Sequence, residues 1–142
     1  MDAALANGLL KVIIEENLLD EQFIEERATG FEEVKEYVTS LSLDDLSEMT
    51  GVPSEQIRVA AIKFASEESG MLFTARGVEQ QIDGTAAVRN LLNILISTGK
   101  IGKPYSGYGA ITGQGNGQGA REHGQKADQL PGYRLIENEE HR

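Results

Sequence analysis

The sequence predicts an α/β domain that is mostly helical and ends in a glycine-rich loop. Three observations carry this reading. Apolar residues recur at helical spacing through the first half of the chain. A short apolar run, Met71 to Ala75, is bounded by Gly70 and Gly77 and is followed by a strongly apolar helix from Thr85 to Thr98. Eight of the 16 glycines then fall between Gly99 and Gly119. Strand, turn, helix and glycine-rich loop, in that order, is how an α/β protein brings bare backbone N–H groups to a phosphate-bearing ligand.

Asp2 is placed to cap a helix from Ala3, in which Leu5, Leu9, Val12 and Ile13 form an apolar stripe widened by Leu10 and Ile14. Asn17 to Asp20 is a break, and Asp20 caps a second helix that stops near Thr29-Gly30. Phe31, Val34, Tyr37 and Val38 define a third, with Glu32, Glu33, Lys35 and Glu36 on its wet side. Those acids read as a solvated face rather than a metal site. Ser42 caps a short helix ending at Thr50-Gly51. Pro53 suits the first turn of the next, whose apolar side is Ile57, Ala60, Ala61 and Phe64 and which ends at Ser69-Gly70.

Met71 to Ala75 is too short for a helix and reads as a buried strand, with Gly77 turning the backbone out of it. Thr85 is the expected cap of the next helix. Val88, Leu91, Leu92, Leu95 and Ile96 stripe that helix, and Ile94 makes it apolar nearly all round. It is therefore expected to be the packing centre, covered on more than one side. From Gly99 onward ten glycines, Pro104 and Pro131 argue against regular structure. Tyr105, Tyr108, Ile111, Asn116, Gln118, Arg121 and Tyr133 nevertheless mark an ordered, functional loop rather than a spacer. The close at Glu139-Glu140-His141-Arg142, with no element to finish on, reads as a cut.

Composition narrows the chemistry. The 142 residues suffice for one domain with a real core. No signal peptide and no apolar run of membrane length is visible, and a cytoplasmic setting is expected. With no cysteine, the chain by itself holds no disulfide, thiolate nucleophile or iron–sulfur cluster. The net charge of −10 is uneven. Met1 to Ser69 carries 16 acidic and 5 basic residues, whereas Gly70 to Arg142 carries 7 and 8. The first half should repel nucleic acid, and only the second could welcome an anion. That sets aside a helix-turn-helix reading of Leu46 to Phe64, whose outline fits but whose charge does not.

No standard catalytic pattern is present. His123 and His141 lack partners at metal-binding spacing, and no metal site is expected. Gly99-Lys100 lacks the other residues of a phosphate-binding P-loop. Glycines 113, 115, 117 and 119 recur every second residue and do not spell a dinucleotide fingerprint. By itself the loop means backbone close to a ligand, or a tightly packed structural loop.

Longer stretches carry more. Asp2-Ala3-Ala4-Leu5, Asp20-Glu21-Gln22-Phe23-Ile24 and Thr50-Gly51-Val52 are followed by Arg76-Gly77-Val78-Glu79-Gln80 and by the run from Asn93 through Ser97-Thr98-Gly99-Lys100 to Pro104. The glycine loop then closes on Leu130-Pro131-Gly132-Tyr133. In this order and spacing the chain resembles the molybdopterin-dependent oxidoreductases of the dimethyl sulfoxide reductase type over nearly its whole length. The resemblance implies a partial doubly wound (Rossmann-like) molybdopterin-binding domain with a parallel sheet. Residues 1–116 would be the C-terminal half of an α/β domain binding a molybdopterin guanine dinucleotide. Residues 117–142 would be a linker into a neighbouring cofactor domain.

The cofactor contacts it implies are Arg76, Gly77 and Gln80 at the strand end, and Thr112, Gly113, Gln114 and Gln118 in the loop. No residue of the chain is assigned a catalytic role. A side-chain amide both donates and accepts, as a pterin edge requires. Two residues before Gln114, formate dehydrogenase-like members of the family carry arginine; here the residue is Thr112. Thr112-Gly113-Gln114 and Arg121-Glu122-His123-Gly124 look like the assimilatory nitrate reductase branch. The resemblance also implies a parent polypeptide with a 4Fe-4S cluster that this chain does not bind, an electron-donor subunit or domain, and no activity for this stretch alone. A formate dehydrogenase-like fragment is the alternative within the family. A free-standing helical module binding a nucleotide or a partner is the alternative outside it. An incomplete α/β domain would also expose apolar surface and self-associate.

Overall fold

The computed structural model describes residues 1–142. They form two compact units, residues 1–111 and residues 112–142.

The first unit is built on α1 (Asp2–Glu15), which touches α3 (Phe31–Ser40), α4 (Leu43–Thr50), α5 (Ser54–Ser66) and α7 (Gly84–Ser97). Leu10, Val12 and Ile13 of α1 meet Val38, Ile57, Ala61 and Ile94 in one buried cluster. Each large side chain so buried is worth roughly 1.5–3 kcal/mol. The packing centre is therefore α1, not α7. The reason is geometric: α1 is surrounded by helices, whereas α7 lies between α1 and the sheet. Lys11 is also buried. Its ammonium pairs with Glu15 at 2.7 Å and donates to the Thr39 carbonyl at 3.1 Å, so its stem lines the core while its charge reaches the end of α3.

Local signals set most helix ends. Asp20 accepts from the Phe23 N–H at 3.0 Å and caps α2 (Glu21–Arg27). Ser42 caps α4, and Gly51 ends it in the left-handed region at φ 72°. Three expected helix starts are off by about one residue. Asp2 lies within the first turn of α1, where its charge suits the helix dipole without capping. Pro53 immediately precedes α5. Thr85 falls inside α7, because Gly84 already packs beneath the Glu79 carbonyl; a Cβ there would lie 2.2 Å from that oxygen.

β1 (Met71–Thr74) pairs in parallel with β2 (Gly107–Ala110), in the register Met71↔Gly107 to Thr74↔Ala110. Between them lie α6 (Arg76–Glu79) and α7, which makes a β–α–β crossover. The strand at 107–110 corrects the expectation of irregular structure beyond Lys100. Its signal was hidden because its alternate residues, Gly107 and Gly109, are glycines; a Cβ on Gly109 would strike the Phe73 ring at 2.8 Å. Nor is β1 wholly buried. Leu72 and Thr74 face inward, while Met71 (47% exposed) and Phe73 (57%) face outward, since only one side of this two-stranded sheet is covered. Exposed large apolar side chains are scattered, including Met71 and Phe73 of β1, Tyr37, Ile82, Tyr105 and Ile111, and none lies on α7.

Lys100 ties the C-terminal end of α5 in place. It is 2% exposed, donates to the carbonyls of Ala65 (3.2 Å) and Glu67 (2.6 Å), and its ammonium lies 5.5 Å from the Phe64 ring centroid. Burial first, and then the Lys103 charge, lower its pKa from the usual lysine value, against the raising effect of Asp20 and Glu67.

The second unit contains α8 (Gly117–Glu122), an antiparallel ribbon of β3 (Gln129–Leu130) and β4 (Arg134–Leu135), and a 3-10 turn at Glu139–His141. Asn116 caps α8 by accepting from the Gly119 N–H at 3.2 Å. No helix of either unit is long and apolar enough to cross a membrane.

Candidate functional site

In the first unit the candidate surface grows from the carboxyl end of β1. Ala75 is extended, and the chain passes directly into the single turn of α6. Gly77 is therefore not needed to turn the backbone, as the sequence reading expected; its φ is not positive. What it contributes is open space, because a Cβ there would meet nothing within 4 Å. Arg76 and Gly77 are exposed, as is Gln80 at the end of the turn. The Gln80 side-chain amide has no hydrogen-bond partner in the protein, whereas its neighbour Gln81 donates to the Gly77 carbonyl at 3.0 Å.

Behind this turn sits a cluster that sequence reasoning missed. The buried Thr74 hydroxyl donates to Glu79 Oε1 and also meets the Tyr108 hydroxyl. Tyr108 Oη lies 3.4 Å from the same carboxylate oxygen. These three side chains tie β1, β2 and α6 together. The only signal available was a polar residue closing an apolar strand, since the β1–β2 pairing that delivers Tyr108 joins segments far apart in sequence.

In the second unit Thr112 Oγ1 donates to the Gln114 carbonyl at 2.7 Å, closing a tight turn across Gly113. Gln114 then lines an open cavity of about 590 Å³ with Asn116, Gly117, Ala120, Arg121 and Gln125. Asn116 caps α8 through its Oδ1, so the donors lining this cavity are the Gln114, Asn116 and Gln125 amides and the Arg121 guanidinium. Gln118 is exposed on α8, and its carbonyl accepts from Tyr133 at 3.5 Å. His123, at the C-terminal end of α8, has its Nδ1 2.9 Å from the Gly119 carbonyl, a contact that orients the ring. The predicted contacts thus form two sets, Arg76, Gly77 and Gln80 in one unit and Thr112, Gly113, Gln114 and Gln118 in the other.

The donor set suits a phosphorylated heterocycle. Guanidinium groups bind phosphate in a fixed fork, and amides match a ring edge that both donates and accepts. No group of three or more His, Asp or Glu side chains is placed to hold a metal ion.

Residues 1–141 match the molybdopterin oxidoreductase family. The chain is 72% identical over 141 residues to the assimilatory nitrate reductase catalytic subunit of Bacillus subtilis, covering 99% of this chain and 20% of that protein. It is 38% identical over 135 residues to formate dehydrogenase H of Escherichia coli, covering 95% of this chain and 19% of that one. Among solved structures, acetylene hydratase from Pelobacter acetylenicus superposes with a TM-score of 0.70 at 36% identity, over 73% of this chain and 14% of the other. The chain spans about a fifth of the length of the curated relatives it matches.

Proposed function

This chain belongs to the molybdopterin oxidoreductase family, and from that premise we propose that it forms part of the cofactor site of an assimilatory nitrate reductase. The observation that carries the choice of reaction is the 72% identity across 99% of the chain, against 38% to the formate dehydrogenase. Three relatives named for different activities share this region, which supports a region that serves the cofactor and leaves substrate choice to few residues. Thr112 is the candidate for one of these. A threonine gives a small neutral wall where an arginine would give a fixed cation.

In this reading residues 1–116 are the C-terminal half of a molybdopterin guanine dinucleotide-binding domain, and residues 117–142 lead into a neighbouring cofactor domain. Arg76 and Gln80 meet the cofactor at the strand end, with Gly77 leaving room for its approach. Gln114, Gln118 and the Thr112-Gly113 turn meet it from the loop. Bound there, the molybdenum of the pterin would supply the two-electron chemistry that converts nitrate, with two protons, to nitrite and water. This chain's own residues bind and orient; they offer no acid–base pair for the reaction. The rest of the parent polypeptide would provide the 4Fe-4S cluster and the contact with an electron donor, in the cytoplasm.

The test is to produce the complete protein in a molybdenum-replete host. Metal, guanine dinucleotide and nitrate-dependent oxidation of a reduced viologen are then measured. A protein that carries molybdopterin and oxidises formate instead of reducing nitrate would replace this reading with the formate dehydrogenase alternative. A protein free of molybdenum and pterin would end it.

A further inference from the structure

The chain has two Asn-Gly steps, Asn7-Gly8 and Asn116-Gly117, and the fold treats them oppositely. Such a step can convert without an enzyme. The backbone nitrogen of the glycine attacks the side-chain amide carbon of the asparagine and gives its proton to water. Ammonia leaves with Nδ2, and a five-membered succinimide closes. Water then opens the ring at either carbonyl, leaving aspartate or isoaspartate. The balance is one water taken up and one ammonia released. Glycine obstructs the attack least, because it has no side chain and its backbone bends freely.

Asn7 and Gly8 lie inside the 14-residue α1, where Gly8 is buried against Ile57. The Gly8 N–H is held in the helix ladder, so ring closure there requires α1 to leave the core. Asn116 instead is exposed, in the turn before α8. Gly117 is the first residue of α8, and its N–H has no acceptor within the protein. Asn116 Nδ2, which would leave, is likewise unbonded. Only Oδ1 is engaged, accepting from the Gly119 N–H at 3.2 Å. That bond draws electron density from the carbon under attack. It also holds the side chain as the cap of α8, so the reaction waits for the cap to open. Gly115 and Gly117 flank Asn116, and the chain can swing there without a neighbouring Cβ to clear.

We propose that Asn116-Gly117 is a spontaneous deamidation site, gated by the cap of α8, that disables the glycine-loop cavity as the chain ages. Aspartate keeps the cap but sets a carboxylate in the cavity wall with Arg121 and Gln114. Isoaspartate adds a carbon to the main chain and displaces the first turn of α8. The loss of function rests on the cofactor reading above; the modification itself does not.

The experiment ages the 142-residue protein at neutral and alkaline pH. Each Asn-Gly peptide is followed by mass spectrometry and by enzymatic methylation of isoaspartate. A cap worth about 1 kcal/mol biases the turn closed only about fivefold, so Asn116 in the folded protein should convert within about tenfold of its rate in urea. Asn7 should be slowed about a thousandfold or more by folding, because its reaction awaits loss of the core. Conversion of Asn116 should quicken as pH rises, since the attacking nitrogen must lose its proton. An Asn116 protected as strongly as Asn7 would overturn the proposal, and so would equal conversion at both sites in the folded protein. In the complete protein, Asn116→Asp should lower the bound pterin, whereas Asn116→Ser, a neutral cap, should retain it. Equal pterin in the two variants would overturn the disabling effect. A complete wild-type protein without pterin would end the cofactor reading instead, while the ageing measurement still decides the modification.

Discussion

Twelve apolar side chains are buried in residues 1–111, and none is buried in residues 112–142. The first unit is held by a contiguous core around α1. The second is held by caps and backbone hydrogen bonds: Asn116 on Gly119, Gly132 N–H to the Glu122 carbonyl at 2.7 Å, and Gln125 N–H to the Ala120 carbonyl at 2.9 Å. Both carry proposed cofactor contacts. One presents them from a packed scaffold and the other from a surface whose order depends on local turns. Burial is cooperative, whereas turns open one at a time, so the two contact sets should differ sharply in rigidity.

The sharpest way to break this contrast is to remove core volume. Ile13→Ala empties a wholly buried position in α1 and should cost about 2–5 kcal/mol, read from the urea midpoint. Leu130→Ala, at a half-buried position of the ribbon, should cost less than about 1 kcal/mol. Equal losses would mean that the second unit is stabilised by burial after all.

Next in size is a pair of glycines, Gly77 within α6 and Gly84 at the start of α7. Gly84→Ala drives a Cβ into the Glu79 carbonyl, and overpacking against backbone should cost about 1–3 kcal/mol. Gly77→Ala meets nothing and should leave thermal stability unchanged or raised by less than about 1 kcal/mol, because alanine favours helix. In the complete protein Gly77→Ala should nonetheless lower the bound pterin, measured by fluorescence after extraction. Unchanged pterin content would remove Gly77 from the cofactor surface.

This pair shows what could be read from the sequence. Helices with their own caps and stripes were legible: Asp20, Ser42 and the Gly51 stop are local signals, and they lie where the chain folds as expected. The parallel strand at Gly107–Ala110 was not, since glycines leave no alternating pattern and its partner lies 36 residues earlier in register. The Thr74–Glu79–Tyr108 cluster depends on that pairing and stayed hidden with it. The choice of α7 as packing centre failed because periodicity reports how apolar a helix is, not how extensively other helices pack on it, and the buried cluster gathers on α1. Arg76, Gly77, Gln80 and Gln114 stood out through a family resemblance rather than through any local pattern.

A smaller change probes the second unit alone. Asn116→Ala removes the cap of α8 and should cost that helix about 1 kcal/mol. The effect should appear as faster hydrogen exchange at Gly119 and Ala120, with the urea midpoint of the first unit unmoved. A matching fall in that midpoint would join the two units into one cooperative body.

The smallest effect concerns charge within the first unit. Burial lowers the Lys100 pKa below its unfolded value of 10.5, so between the folded and unfolded values the unfolded chain binds the extra proton. Stability should therefore rise with pH through that window, and the gain should fade as pH falls through the folded pKa. Other lysines and tyrosines titrate there too, which makes the difference between wild type and Lys100→Met the useful quantity. That difference should move in favour of the wild type as pH rises toward 10.5, because a neutral amine can still donate to the Ala65 and Glu67 carbonyls without the cost of a buried charge. A difference that moves the other way would mean that the ammonium, held by those carbonyls and by Phe64, is stabilised more than its burial costs.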